Sequence, residues 1–143
     1  MLFYTGITRS ADPILAEQNT NIESTRPQLD LLRELAGFAA ERLRGGDVDA
    51  IGPAMRESWE AKRKLASGVS NDQIDQMVNR ALDAGATGAK LTGAGGGGFL
   101  LVICNIERQR AVRENLRDMQ EFPVKLDRLG SRIALNVLRD IWG

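Results

Sequence analysis

Gly88-Ala-Lys-Leu-Thr-Gly-Ala-Gly-Gly-Gly-Gly-Phe-Leu-Leu-Val-Ile-Cys104 is the stretch that decides the fold. Five of the six residues from Gly93 to Gly98 are glycine. Each costs about 0.5–1 kcal/mol of extra backbone entropy relative to alanine. A chain that accepts this cost repeatedly needs unusual backbone angles or a very close approach at that place. Successive exposed amides in such a turn can form a nest for an anion. Phe99–Cys104, apolar and partly β-branched, reads as a buried strand. Ala89–Thr92 reads as a short strand paired with Gly98–Cys104 through the loop. A flexible hairpin turn with no ligand is the plain alternative, although linkers usually mix glycine with serine.

Two familiar phosphate motifs do not fit. Gly93, Gly95 and Gly98 satisfy G-x-G-x-x-G in spacing, but that fingerprint needs a strand before it and a helix after it. Here a helix ends before the glycines, at Gly85, and a strand follows them. A Walker A loop needs Lys-Ser/Thr after its last glycine, and Phe99-Leu100 stand there instead.

Lys90-Leu91-Thr92-Gly93-Ala94-Gly95-Gly96-Gly97-Gly98-Phe99 resembles the third motif of the GHMP kinases, the galactokinase, homoserine, mevalonate and phosphomevalonate kinase superfamily. Further features resemble the branch containing the D-glycero-D-manno-heptose 7-phosphate kinases. They are Phe3-Tyr4-Thr5-Gly6, Trp59 with Lys62 and Leu65, Val69-Ser70 before a helix, and Gly85-Ala86. The resemblance covers most of the chain but only the C-terminal half of such an enzyme. It implies that Gly93, Ala94, Gly95, Gly96, Gly97 and Gly98 lie at a cleft between two domains and approach the phosphates of ATP. It also implies that the region of Thr8, Arg9 and Ser10 lies near a sugar-phosphate substrate. The main nucleotide loop, the catalytic carboxylate and most contacts to ATP and Mg2+ would belong to an N-terminal ATP-binding domain absent from this chain. Alone, the chain is then expected to be inactive, and no catalytic residue or metal ligand is assigned in it. A non-catalytic module binding a small anion or another subunit is the alternative.

The composition agrees with a single domain. The 143 residues carry 19 basic and 19 acidic side chains, so no basic excess points to nucleic acid or to an anionic membrane surface. There is no histidine, which removes Ser-His and Cys-His nucleophile systems. The lone Cys104 cannot form an internal disulfide, and a cytoplasmic setting fits. No apolar run approaches the ~20 residues that span a bilayer. A strand beginning at the second residue suggests a piece cut from a longer protein. Loss of its partner domain would bare an apolar flank and could promote a homodimer.

In chain order, Leu2–Thr8 reads as a strand. Ser10 can cap a helix carrying Asp12 and Pro13 in its first turn. Thr8, Arg9 and Ser10 therefore sit at a strand-to-helix junction, able to offer hydroxyls, amides and a guanidinium to an anion. An ordinary capped turn explains them equally. Pro27 opens a second helix whose apolar face is Leu32, Leu35, Ala39 and Leu43. Gly52-Pro53 kinks or restarts the next helix, which buries Met55, Trp59 and Leu65-Ala66 and ends at Gly68. There Lys62 is expected to carry its charge out to water. Ser70-Asn71-Asp72-Gln73 spells a capping box, and Ile74, Met77, Val78, Ala81 and Leu82 form the buried face that follows. Asn105 caps a charged helix from Ile106 to Gln120. Phe122–Leu126 alternates as an edge strand, and a strand near Leu129–Ala134 precedes a final helical turn or two. The sum is an α+β two-layer sandwich, antiparallel helices on one face of a small antiparallel sheet. The resemblance makes it the ferredoxin-like C-terminal domain of the GHMP kinases.

Overall fold

The computed structural model describes residues 1–125. The strand expected near Leu129–Ala134 and the final helical turns lie outside the described residues. In chain order the elements are β1 (Leu2–Tyr4), α1 (Asp12–Thr20), α2 (Arg26–Arg44), α3 (Ile51–Arg63) and α4 (Asp72–Asp83). There follow β2 (Gly88–Leu91), β3 (Phe99–Ile103), a 3-10 turn (Ile106–Arg108), α5 (Gln109–Asn115) and β4 (Gln120–Phe122).

The strands form one sheet in the order β2-β3-β1-β4, every neighbouring pair antiparallel. This is the split βαβ arrangement of ferredoxin-like domains, in which a strand of the hairpin slots beside β1. The expected hairpin is present. Gly88 opposes Ile103 and Leu91 opposes Leu100. β1 holds an interior position through Leu2 opposite Leu101 and Phe122.

Alternation along the strands sorts the two faces. Phe3, Ala89, Leu91, Leu100 and Val102 are buried and join one core with Trp59, Ile74, Met77, Val78, Ala81, Val112 and Leu116. This face carries the helices. The opposite face presents Tyr4, Phe99 and Phe122, half-buried, with Phe99 set 5.4 Å from Tyr4 and edge-on to Phe122 at 5.2 Å.

Helix boundaries differ from the expected ones where local polar groups compete. Gly52-Pro53 neither kinks nor restarts α3. The helix begins at Ile51, and Pro53 falls in the first turn, where a missing amide costs little. α3 stops at Arg63, not Gly68, although Leu65 and Ala66 beyond it remain buried. α4 is capped by Asn71, not by Ser70. Asn71 Oδ1 accepts from Ile74 N at 3.0 Å, while Ser70 Oγ donates to Asp75 Oδ1 at 2.6 Å. Asn71→Ala is therefore expected to cost about 1 kcal/mol in urea unfolding, and Ser70→Ala less.

The charged helix expected to Gln120 is shorter. It opens as the 3-10 turn, and α5 ends at Asn115. Val112, Leu116 and Met119 are nevertheless all buried, because a turn at Leu116 keeps the same spacing over the core. The chain then enters β4 two residues earlier than expected, leaving Pro123 just past a sheet edge. On α2, Leu32, Leu35 and Ala39 are half-buried as expected, but Leu43 is 53% exposed.

Candidate functional site

The glycine loop bridges β2 and β3 and lies on two other connections of its own chain. Gly96 N donates to Val69 O at 2.9 Å, in the α3–α4 connection. Gly98 N donates to Ile7 O at 2.9 Å, in the β1–α1 connection. The Gly98 carbonyl accepts from both Thr5 N and Thr5 Oγ1 at 2.9 Å. Thr92 N closes the base of the hairpin on Phe99 O at 2.9 Å.

Side chains are excluded at the centre of the loop by the protein itself. A Cβ on Gly95 would stand 2.7 Å from Val69 O and 2.9 Å from Val69 Cα. On Gly96 it would stand 2.7 Å from Ile14 Cδ1 and 3.0 Å from Gly68 O, and on Gly97 2.5 Å from Ile7 O. Gly95 and Gly96 also hold φ of 110° and 76°. If these glycines served only to let a ligand approach, a bulky residue at Gly95 or Gly96 would obstruct the ligand and spare the fold. The geometry gives these glycines a packing reason instead.

Gly93 and Gly98 have open space at the Cβ position. Among the described residues, the amides of Gly93, Ala94, Gly95 and Gly97 have no acceptor within the chain. These four are the groups able to receive an anion.

The Thr8–Ser10 junction reaches the loop through one residue. Arg9 Cδ lies 3.3 Å from the position of a Cβ on Gly96. No carboxylate among the described residues lies within ion-pair distance of Arg9. Its exposed side chain passes the loop, with one guanidinium nitrogen 4.0 Å from the position of a Cβ on Gly68. Thr8 Oγ1 instead bonds the Tyr4 hydroxyl at 3.0 Å, and Ser10 Oγ accepts from Asp12 N at 3.3 Å. Both hydroxyls have local structural partners. Glu17 ties α1 to the α3–α4 connection by accepting from Ser67 N at 2.8 Å and Ser67 Oγ at 2.9 Å. The backbone bond from Ser67, with the side-chain bond after it, holds its carboxyl below the usual range.

Two lysines complete the surroundings. Lys62 does not simply run out to solvent, as expected of a snorkelling side chain. Its ammonium donates to the carbonyl of Gly93, at the entry of the loop. Lys90 Nζ donates to Ser58 Oγ at 2.9 Å. Ser58 and Lys62 are one turn apart on α3, so this helix face grips both the end of β2 and the start of the loop. The spacing of Ser58, Lys62 and Lys90 is visible in the sequence, but nothing in it shows that one helix face meets one strand there.

Burial pushes Lys62 from 10.5 down to about 8, with the charge of Lys90 adding to the effect. Burial also lowers Lys90. Between pH about 8 and 10.5 an unfolded Lys62 holds a proton that the folded one has lost. Stability therefore rises with pH across that window. Urea midpoints are expected to show this rise, and Lys62→Met is expected to reduce it. Partial exposure keeps the effect modest.

The family described as GHMP kinases C terminal matches residues 35–121, more than half of the chain. The chain is 34% identical over 117 residues to an L-fucokinase/L-fucose-1-P guanylyltransferase of Bacteroides fragilis, covering 79% of this chain and 12% of that protein. It is 27% identical over 124 residues to a D-glycero-alpha-D-manno-heptose 7-phosphate kinase of Campylobacter jejuni, covering 85% of this chain and 37% of the relative. Its fold superposes on L. major mevalonate kinase, solved with R-mevalonate, with a TM-score of 0.70 and 24% identity, over 82% of this chain and 37% of that one. The chain thus spans well under half the length of the relatives it matches.

Proposed function

The chain belongs to the GHMP kinase C-terminal family, and from that membership we propose that it serves as the substrate and phosphate side of an ATP-dependent sugar kinase. The acceptor is an alcohol group on a sugar, with a heptose phosphate as the first candidate. The observation that carries this reading is the glycine loop. Its four amides that have no acceptor among the described residues stand between Arg9 on one flank and Lys62 on the other.

ATP, when bound, supplies the phosphoryl group. Phosphoryl transfer asks mainly for positioning and charge stabilisation. The loop amides suit that task because they are fixed in place by the Val69 and Ile7 contacts before any ligand arrives. Arg9 suits a sugar-phosphate oxygen because a guanidinium offers paired donors. Among the described residues no group of three or more His, Cys, Asp and Glu side chains is placed to hold a metal ion. We assign the metal, the main nucleotide loop and the catalytic carboxylate to an N-terminal kinase domain, in a cytoplasmic enzyme. No helix among the described residues is long and apolar enough to cross a membrane. Leu15, Ile22 and Leu29 stand exposed along a cleft between α1 and α2. That supports an apolar contact with the other domain, or with a second copy of this chain where the other domain is removed.

The test is ADP release from Mg-ATP with heptose 7-phosphate, using the chain alone and mixed with the N-terminal domain of the Campylobacter jejuni relative. Activity in the mixture only is the expected result. Turnover by the chain alone would overturn the division of labour. Silence in both, with phosphate still bound by the chain, would favour a non-catalytic anion-binding module.

A further inference from the structure

We infer that Lys62 and Lys90 form the cationic half of a phosphate-dianion site whose other half is the open amides of the glycine loop. An ammonium carries three N–H donors. Lys62 uses one on the Gly93 carbonyl, and Lys90 uses one on the Ser58 hydroxyl. Both acceptors are neutral. Among the described residues no carboxylate pairs with either lysine.

The arrangement is costly for a purely structural purpose. Buried charges are normally paired, and half-buried like charges destabilise each other. Here α3 draws both to one side of itself, Lys90 onto Ser58 and Lys62, one turn further along, onto Gly93. A methionine at either place would avoid that repulsion and fill the same space. An anion would remove the repulsion and take up the donors left over on both ammonium groups. A phosphate fits in charge and in number of oxygens, and the loop amides beside Gly93 supply further donors. Nucleotide and sugar phosphate share this chemistry, so both are sources for the ligand.

The inference rests on the loop being a phosphate cradle, yet the two readings fail separately. The kinase reading depends on phosphoryl transfer by the assembled enzyme. The lysine site depends on anion binding by this chain. The sequence holds four lysines, Lys62, Lys64, Lys90 and Lys125, and the second and last are exposed. Selective ε-13C labelling gives one signal for each. Titrated from neutral to alkaline pH with and without sulfate, which stays a dianion throughout, Lys62 and Lys90 are expected to move up by about one pH unit. Lys64 and Lys125 are expected to stay. No movement of Lys62 and Lys90 would overturn the site. So would equal movement of all four, which marks general screening.

Calorimetry with ADP and with mannose 6-phosphate separates the two sources. Lys62→Met and Lys90→Met are each expected to weaken one or both ligands by about tenfold. Loss for ADP alone assigns a nucleotide phosphate, and loss for mannose 6-phosphate alone assigns a sugar phosphate. Unchanged affinity for both in folded variants would overturn the proposal.

Discussion

Gly95→Val is expected to destabilise the domain by about 3 kcal/mol or more, read as a fall in the urea midpoint. Two effects add. The backbone at Gly95 has φ 110°, which a side chain rarely adopts. The new Cβ would also meet the Val69 carbonyl oxygen and Cα at 2.7 and 2.9 Å. Both atoms are backbone, and Val69 itself is fully buried, so neither can step aside. Gly93→Ala is the matched control. Its φ of 71° carries strain, but nothing lies within 4 Å of the added methyl. It is expected to cost about 1 kcal/mol and to leave the fold intact. Equal costs for the two variants would mean that the loop does not rest on the α3–α4 connection.

Gly88→Val is expected to cost a similar amount for a different reason. Here the backbone angle is ordinary and the obstacle is another helix. A Cβ on Gly88 would stand 2.4 Å from Gly52 O and 2.9 Å from Gly52 Cα. The first turn of α3 thus rests directly on the first residue of β2. Prying them apart would strain Trp59, 1% exposed, and Ser58, both buried between the same elements. Overpacking of this kind costs about 1–3 kcal/mol and occasionally more. It would also carry Lys62 away from Gly93. Gly88→Val is therefore expected to lower both the urea midpoint and phosphate affinity. A variant of unchanged stability would contradict the α3–β2 contact.

Much of the architecture was legible in the sequence because periodicity and punctuation agreed. Ile74, Met77, Val78 and Ala81 marked the buried face of α4, and Gly85, with φ 97°, ended its turn. The apolar run after the glycines marked β3, and its partner lay immediately across the loop. The misplaced boundaries have a common cause. Ser70 and Asn71 are adjacent and both can cap, so which one does so depends on Asp75 taking the serine hydroxyl. Val112, Leu116 and Met119 have helical spacing, yet a turn delivers the last two to the core equally well.

The candidate site was legible in part. The glycines and Arg9 came from motif and junction, and the structure brings Arg9 to the loop. Thr8 and Ser10 were chosen for their hydroxyls, which are occupied locally. Lys62 and Lys90 lie 28 positions apart in the sequence and reach Gly93 and Ser58 only because α3 packs along β2. The Gly52–Gly88 contact was hidden for the same reason. Long-range backbone contacts leave no periodic trace.

The most direct measurement is a 15N amide titration of the chain with inorganic phosphate. The account predicts that the amides of Gly93, Ala94, Gly95 and Gly97 move together and saturate. Those of Gly96 and Gly98, already donating to Val69 and Ile7, should move less. Saturable shifts elsewhere with the loop unmoved, or no shifts at all, would contradict the loop as a phosphate cradle.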